Sequence, residues 1–143
     1  MRIALQQAAL AADEGEVPVG AVVVNKGAVI GKAHNQVELL HDPTAHAEMI
    51  AITQAAAALG DWRLNETVLY VTREPCRMCA GAIALARIAE VFYGTKDPDG
   101  EGFPCSSSMP KMKGGLLEND CRLVLQQFFQ KRRSNAKGAA NED

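Results

Sequence analysis

Two short stretches, His46-Ala47-Glu48 and Pro75-Cys76-Arg77-Met78-Cys79, constrain this chain more than anything else in it. His46, Cys76 and Cys79 supply three nitrogen and sulfur ligands, a set that suits zinc and leaves a fourth position for water. Structural zinc sites are usually closed by four protein ligands, so three ligands point to chemistry. Glu48 stands two residues from the histidine, close enough to reach such a water without ligating the metal. Cys76 and Cys79 are three apart, so a helix places them on one face, about 4.5 Å apart along its axis. Both sulfurs can then reach one ion at about 2.3 Å. His46 and Glu48 are two apart and do not share a helical face. The pair works only if the ion sits beyond a helix end, where first-turn side chains converge. The fold must therefore bring two helix N-termini together, and their partial positive charge favours thiolates there.

Other readings of these residues explain less. A thiol redox protein using Cys76 and Cys79 leaves His46 and Glu48 without a purpose. A zinc-stabilised interaction domain has no need of an acid–base group at Glu48. His34 and His41 read as polar loop residues that shape a pocket rather than as further ligands. Cys121 lies on an apolar helical stripe and reads as a small core residue, with Cys105 and Cys121 a weak candidate for a second metal site or a disulfide.

The chain has 143 residues, one domain's worth, and a net charge of −2. That charge excludes a bulk polycation that grips nucleic acid indiscriminately. One compact basic run, Lys131-Arg132-Arg133, either complements a helix end or meets a polyanion. No apolar run approaches the roughly 20 residues that span a bilayer. The start, Met1-Arg2-Ile3-Ala4-Leu5, lacks the features of a signal peptide, so the expected location is the cytoplasm. A reducing compartment and the Cys-x-x-Cys spacing argue for metal chemistry over disulfides.

Arg2 to Asp13 is alanine-rich and fits a helix that ends at Gly15. Val19 to Val24 is an apolar run expected of a buried strand, and Asn25-Lys26-Gly27 turns it into a partner strand, Ala28 to Ala33. A polar loop, Asn35 to Pro43, precedes a helix over Ala45 to Leu59 that stops at Gly60. Thr67 to Val71 reads as a strand, and Cys76 to Ala86 as a helix with Pro75 as its opening residue. Val91-Phe92-Tyr93 is a short strand ended by Gly94. Residues 95–115 have no clear period and read as loop. Leu117, Cys121, Val124, Leu125, Phe128 and Phe129 form an apolar stripe on a final helix, Leu116 to Arg133. Residues 1–133 form a single domain in this reading, and Ser134 to Asp143, small and polar, are expected to be disordered. A hairpin followed by alternating helices and strands predicts a mixed sheet with helices on its faces.

His-x-Glu followed by Pro-Cys-x-x-Cys is the pattern of zinc deaminases that act on nucleobases. The segments Glu16-Val17-Pro18-Val19-Gly20-Ala21, His34-Asn35, His41-Asp42-Pro43-Thr44-Ala45-His46-Ala47-Glu48 and Glu74-Pro75-Cys76-Arg77-Met78-Cys79-Ala80-Gly81-Ala82-Ile83 resemble the bacterial tRNA-specific adenosine deaminases of the cytidine deaminase-like superfamily. The resemblance runs from Arg2 to Asp97 and resumes from Gly114 to Arg133. It implies a three-layer α/β/α fold with a central mixed sheet of four to five strands and a C-terminal helix. It also implies a homodimer, one Zn2+ per subunit, and conversion of adenosine to inosine at the wobble position of the tRNA anticodon arm. Glu48 would be the proton carrier. Asn35, Val17, Pro18 and Ala47 would hold the base, and Asp97 would contact the substrate backbone. Phe128, Phe129, Arg132 and Arg133 would meet flanking nucleotides. The segment Pro98 to Lys113 departs from the family: it is shorter and offers no obvious fifth strand. A deaminase of a free base or nucleoside (guanine, cytosine or a related amino-heterocycle) is the alternative that this departure favours.

Overall fold

Asn25-Lys26-Gly27-Ala28 folds the first two strands onto each other. Lys26 and Gly27 both take positive φ, 50° and 79°, the two-residue turn whose twist matches that of paired strands. In this computed structural model, which describes residues 1–97 and 109–141, the hairpin is the start of a five-stranded sheet. The strands are β1 (Gly20–Asn25), β2 (Ala28–His34), β3 (Thr67–Arg73), β4 (Glu90–Thr95) and β5 (Lys111–Lys113), in the order β2-β1-β3-β4-β5. β1 runs antiparallel to β2 and β3, whereas β3, β4 and β5 are parallel. The helices are α1 (Arg2–Asp13), α2 (Val37–Leu40), α3 (Ala47–Leu59), α4 (Arg77–Leu85) and α5 (Glu118–Ala140). Parallel neighbours need a crossover, and α4 supplies it between β3 and β4.

Small residues set the spacing of the layers. Ala4, Ala8 and Ala11 of α1 are fully buried on one face of the sheet, and Gly20 lies beneath them. A Cβ at Gly20 would collide with the Ala4 carbonyl and the Ala8 amide. On the other face Ala47, Ala51 and Ala55 of α3 pack over β1 and β2, where Gly31 admits the Ala51 carbonyl. α5 shares the α1 face and covers β3 and β4, while α4 packs beside α3. The result is the expected mixed sheet between two helical layers. Leu64, Leu69, Ile83, Val23, Val71 and Val91 fill the centre, each contributing about 1.5–3 kcal/mol by burial.

Four expectations need correction. Residues 95–115 are not all loop, because β4 extends to Thr95 and Lys111–Lys113 forms the fifth strand. Three residues that alternate exposed, half-buried, exposed on a sheet edge are too short for a period to register. Residues 98–108, including Asp99 to Cys105 of the shortened segment, lie outside the described residues. Second, the loop over Asn35 to Pro43 contains α2. The buried Glu16 carboxylate accepts hydrogen bonds from the Glu38 and Leu39 amides at 3.2 and 2.9 Å, a long-range cap that no local pattern announces. Third, α5 continues past Arg133, the expected end of the final helix, to Ala140. Its last residues are all exposed, so this end of the helix rests on the propensity of Ala and Lys rather than on packing. Fourth, Pro75 precedes α4 instead of opening it, because Cys76 is the N-cap.

Candidate metal centre and its cleft

His46 and Cys76 occupy equivalent places, each the extended N-cap residue of its helix, α3 and α4. Cys79 sits one turn into α4 and Glu48 in the first turn of α3, so all four side chains converge where the two helix ends meet. His46 Nδ1 is 3.6 Å from Cys76 Sγ and 3.6 Å from Cys79 Sγ. The three donor atoms lie within 4.8 Å of one another. A tetrahedral zinc with about 2.05 Å to nitrogen and about 2.3 Å to sulfur sets an N···S distance of about 3.6 Å. The donor set and its spacing thus fit zinc, which His46, Cys76 and Cys79 would hold where the two helices begin.

Asn35, at the end of β2, fastens this corner. Its Oδ1 accepts the Ala47 amide at 2.8 Å, satisfying a first-turn donor that α3 cannot pair itself. Burial pushes the Glu48 carboxyl above its usual range, opposed by its own backbone amide, Cys79, His46 and Arg73. Burial likewise pushes the Cys79 thiol far up, with the Glu48 carboxylate adding to it. A bound cation inverts that logic, since a coordinating thiol loses its proton outright. The cluster is therefore built for a positive charge at its centre.

The cleft over the cluster is lined by Val19, Asn35, His46, Glu48, Arg73, Glu74, Cys76 and Asp97. Sequence reasoning misses Val19, Arg73 and Glu74 as site residues. Their signal is positional, because the C-terminal end of β3 beside a crossover helix is where open α/β sheets hold ligands. Asp97 reaches the cleft and accepts a 2.9 Å bond from Arg73 Nη2. A neighbouring cleft contains Glu16, Val17, Asn35, His46, Arg73 and Arg132. Val17 therefore flanks the site, while Pro18 is fully buried behind it. Ala47 is buried and contributes its amide to Asn35.

A third groove lies under α5, lined by Arg73, Thr95, Lys96, Arg122, Leu125, Gln126, Phe129 and Arg133. Phe128 and Phe129 meet edge to face at 5.4 Å, and Arg132 stacks over Phe128 at 5.3 Å. Neither ring is fully buried; Phe129 is 36% exposed. The structure thus separates the two arginines, Arg132 toward the Val17 cleft and Arg133 toward the α5 groove. His34 bonds to Gln7 and Glu14, and His41 caps α2 on the surface, so neither joins the metal cluster. Cys121 is buried in the sheet–helix core.

Residues 1–133 match the family model of the MafB19-like deaminases. A tRNA-specific adenosine deaminase of Bacillus subtilis is 41% identical over 151 residues, spanning 97% of this chain and 92% of that protein. The chloroplastic tRNA(adenine(34)) deaminase of Arabidopsis thaliana is 46% identical over 157 residues. The match takes in 92% of this chain but spans only 12% of that longer protein. A structure from a study of A-to-I editing by tRNA:A34 deaminases at the wobble position superposes with a TM-score of 0.83. It is 42% identical and covers 87% of this chain and 97% of its own. Guanine deaminase from Bacillus subtilis is also 42% identical, with a TM-score of 0.65 over 68% of this chain and 63% of its own. The chain belongs to the MafB19-like deaminase family and, within the cytidine deaminase-like superfamily, to the bacterial tRNA-specific adenosine deaminases.

Proposed function

We propose that this protein hydrolyses adenosine to inosine at the wobble position of a tRNA anticodon arm, with one zinc ion held by His46, Cys76 and Cys79. The observation that carries the reading is a buried carboxylate, Glu48, beside a three-ligand cluster under a cleft that adjoins a cationic groove. Zinc in such a site makes hydroxide available from water near neutral pH. Glu48 moves the protons: it takes one from the attacking water and passes it to the ring nitrogen beside the amine-bearing carbon. It then helps protonate the departing ammonia. Asn35, oriented through Oδ1 on the Ala47 amide, presents its other end to the base. Val17 walls the pocket with Pro18 packed behind it, and Asp97 meets the substrate backbone at the rim. Phe128, Phe129, Arg132 and Arg133 receive flanking nucleotides.

Residues 1–133 act as one catalytic domain in this reading, as a homodimer in the cytoplasm. Exposed apolar residues such as Leu85, 77% exposed on α4, supply surface for a second copy. Among the described residues no helix is long and apolar enough to cross a membrane. The test is turnover of an adenosine-wobble stem-loop as zinc is stripped and restored. Activity should follow zinc occupancy, and turnover that persists in metal-stripped protein would overturn the reading.

A second reading, deamination of a free base such as guanine, draws on the acidic lining of the metal cleft, where among the described residues Glu48, Glu74 and Asp97 accompany a single arginine. Salt separates the two. Phosphate contacts release counterions and weaken steeply with salt, whereas a free base hardly responds.

A further inference from the structure

We infer that Arg73 is the phosphate-positioning residue of this deaminase, seating the link between the reacting nucleotide and its neighbour. The inference deepens the proposed reading and rests on it. Arg73 is common to the metal cleft, the Val17 cleft and the α5 groove. Within the metal cleft it is the one lysine or arginine among the described lining residues, which also include the carboxyl groups of Glu48, Glu74 and Asp97. The α5 groove is the reverse: among the described residues Arg73, Lys96, Arg122 and Arg133 line it, and none of the described lining residues is a carboxylate. Arg73 therefore marks the boundary between an acidic and a cationic compartment.

A nucleotide whose base enters the metal cleft leaves its phosphodiester outside, because Glu48 and Glu74 line the interior and repel it, while Asp97 at the rim is paired with Arg73. The first cation it meets is Arg73. The bond from Nη2 to Asp97, 2.9 Å, fixes the guanidinium at the rim, and the pair is only part-buried, with side chains 26% and 19% exposed. A guanidinium carries five N–H donors in a planar fork suited to phosphate, and the bond to Asp97 occupies one of them. The next base then lies along Phe129, whose ring lines the same groove. Arg73 acts by holding the backbone and does not touch the reacting atoms.

The test uses zinc-loaded protein, an adenosine-wobble stem-loop and the short single-stranded anticodon loop alone. Arg73→Ala should raise KM for both substrates tenfold or more and change kcat less than threefold. The slope of log KM against log salt should fall by about one phosphate's worth. Arg73→Lys, which keeps the charge and loses the fork, should recover part of KM and all of the salt slope. Lys32→Ala, an exposed charge on β2, should change neither. An Arg73→Ala enzyme with unchanged KM and slope overturns the inference, as does one that loses kcat alone. Loss in Arg73→Ala and Arg73→Lys alike, with lowered melting temperatures, assigns Arg73 to structure and also overturns it. Failure of the unmodified protein on the stem-loop sinks the parent reading instead.

Discussion

The metal corner and the α5 side of this molecule are built in opposite ways. At the metal corner the side chains are placed by helix ends and by burial. Asn35 clamps the Ala47 amide, His46 and Cys76 are N-caps, and Glu48 and Cys79 are buried against the sheet. Along α5 only Cys121 is buried, and Phe128, Phe129 and the arginines rest on one another or face solvent. The first region is held in place by the core and by the Asn35 bond. The second has groups with partial burial and unused stacking faces, the condition of a surface that a ligand completes. Chemistry is held by packing, and recognition is left at the surface.

The largest expected effect tests the chemical side of that contrast. Glu48→Gln should lower kcat by about 10²–10⁴-fold, the range of a positioned acid–base group, while zinc content stays at one per chain. Activity within tenfold of the unmodified protein would remove Glu48 from its role. Gly20→Ala comes next and strikes the scaffold alone. Its methyl meets α1 backbone, so overpacking should cost about 1–3 kcal/mol or more, read as a fall in chemical-denaturation midpoint.

Phe129→Ala should invert that pattern. Stability should change by less than about 0.5 kcal/mol, as for other surface positions. Stem-loop binding should weaken by about 1–3 kcal/mol, the worth of one stacked base. Equal losses in both would mean that Phe129 is part of the core, and the division between packed chemistry and surface recognition would fail.

The smallest effect concerns the loop that feeds α3. The Thr44 hydroxyl and amide donate to Asp42 and hold its carboxyl below the usual range. A depressed carboxyl contributes stability above its unfolded value near 3.8 and loses it as pH falls through the folded value. Asp42→Ala should therefore lower the neutral plateau of a stability–pH curve slightly and shallow its acid limb, so that the two proteins converge in acid. A deficit that stays the same from neutral pH down through the acid limb would contradict the assignment.

The same contrast explains what is legible in the sequence. His46, Glu48, Cys76 and Cys79 are readable because ligand chemistry restricts residue type and spacing at once. The hairpin is readable from Asn25-Lys26-Gly27, and the end of α3 from Gly60, which takes φ 66° as the cap. Features made by distant partners stay hidden. α2 depends on Glu16, more than twenty residues away, and β5 on pairing with β4. Arg73 carries no local mark of function, since only the fold sets it beside Asp97. Pro18 lies in a motif that suggests a pocket wall, and the fold buries it fully, which the motif alone does not announce.

The measurement closest to the central claim is product analysis on zinc-loaded protein incubated with an adenosine-wobble stem-loop, beside free adenosine, guanine and cytosine. Nuclease digestion and mass analysis should find inosine at the wobble position, no other deaminated residue, and no turnover of the free compounds. Deamination of a free base with the stem-loop untouched would keep the metal corner and contradict α5 as the surface that receives RNA.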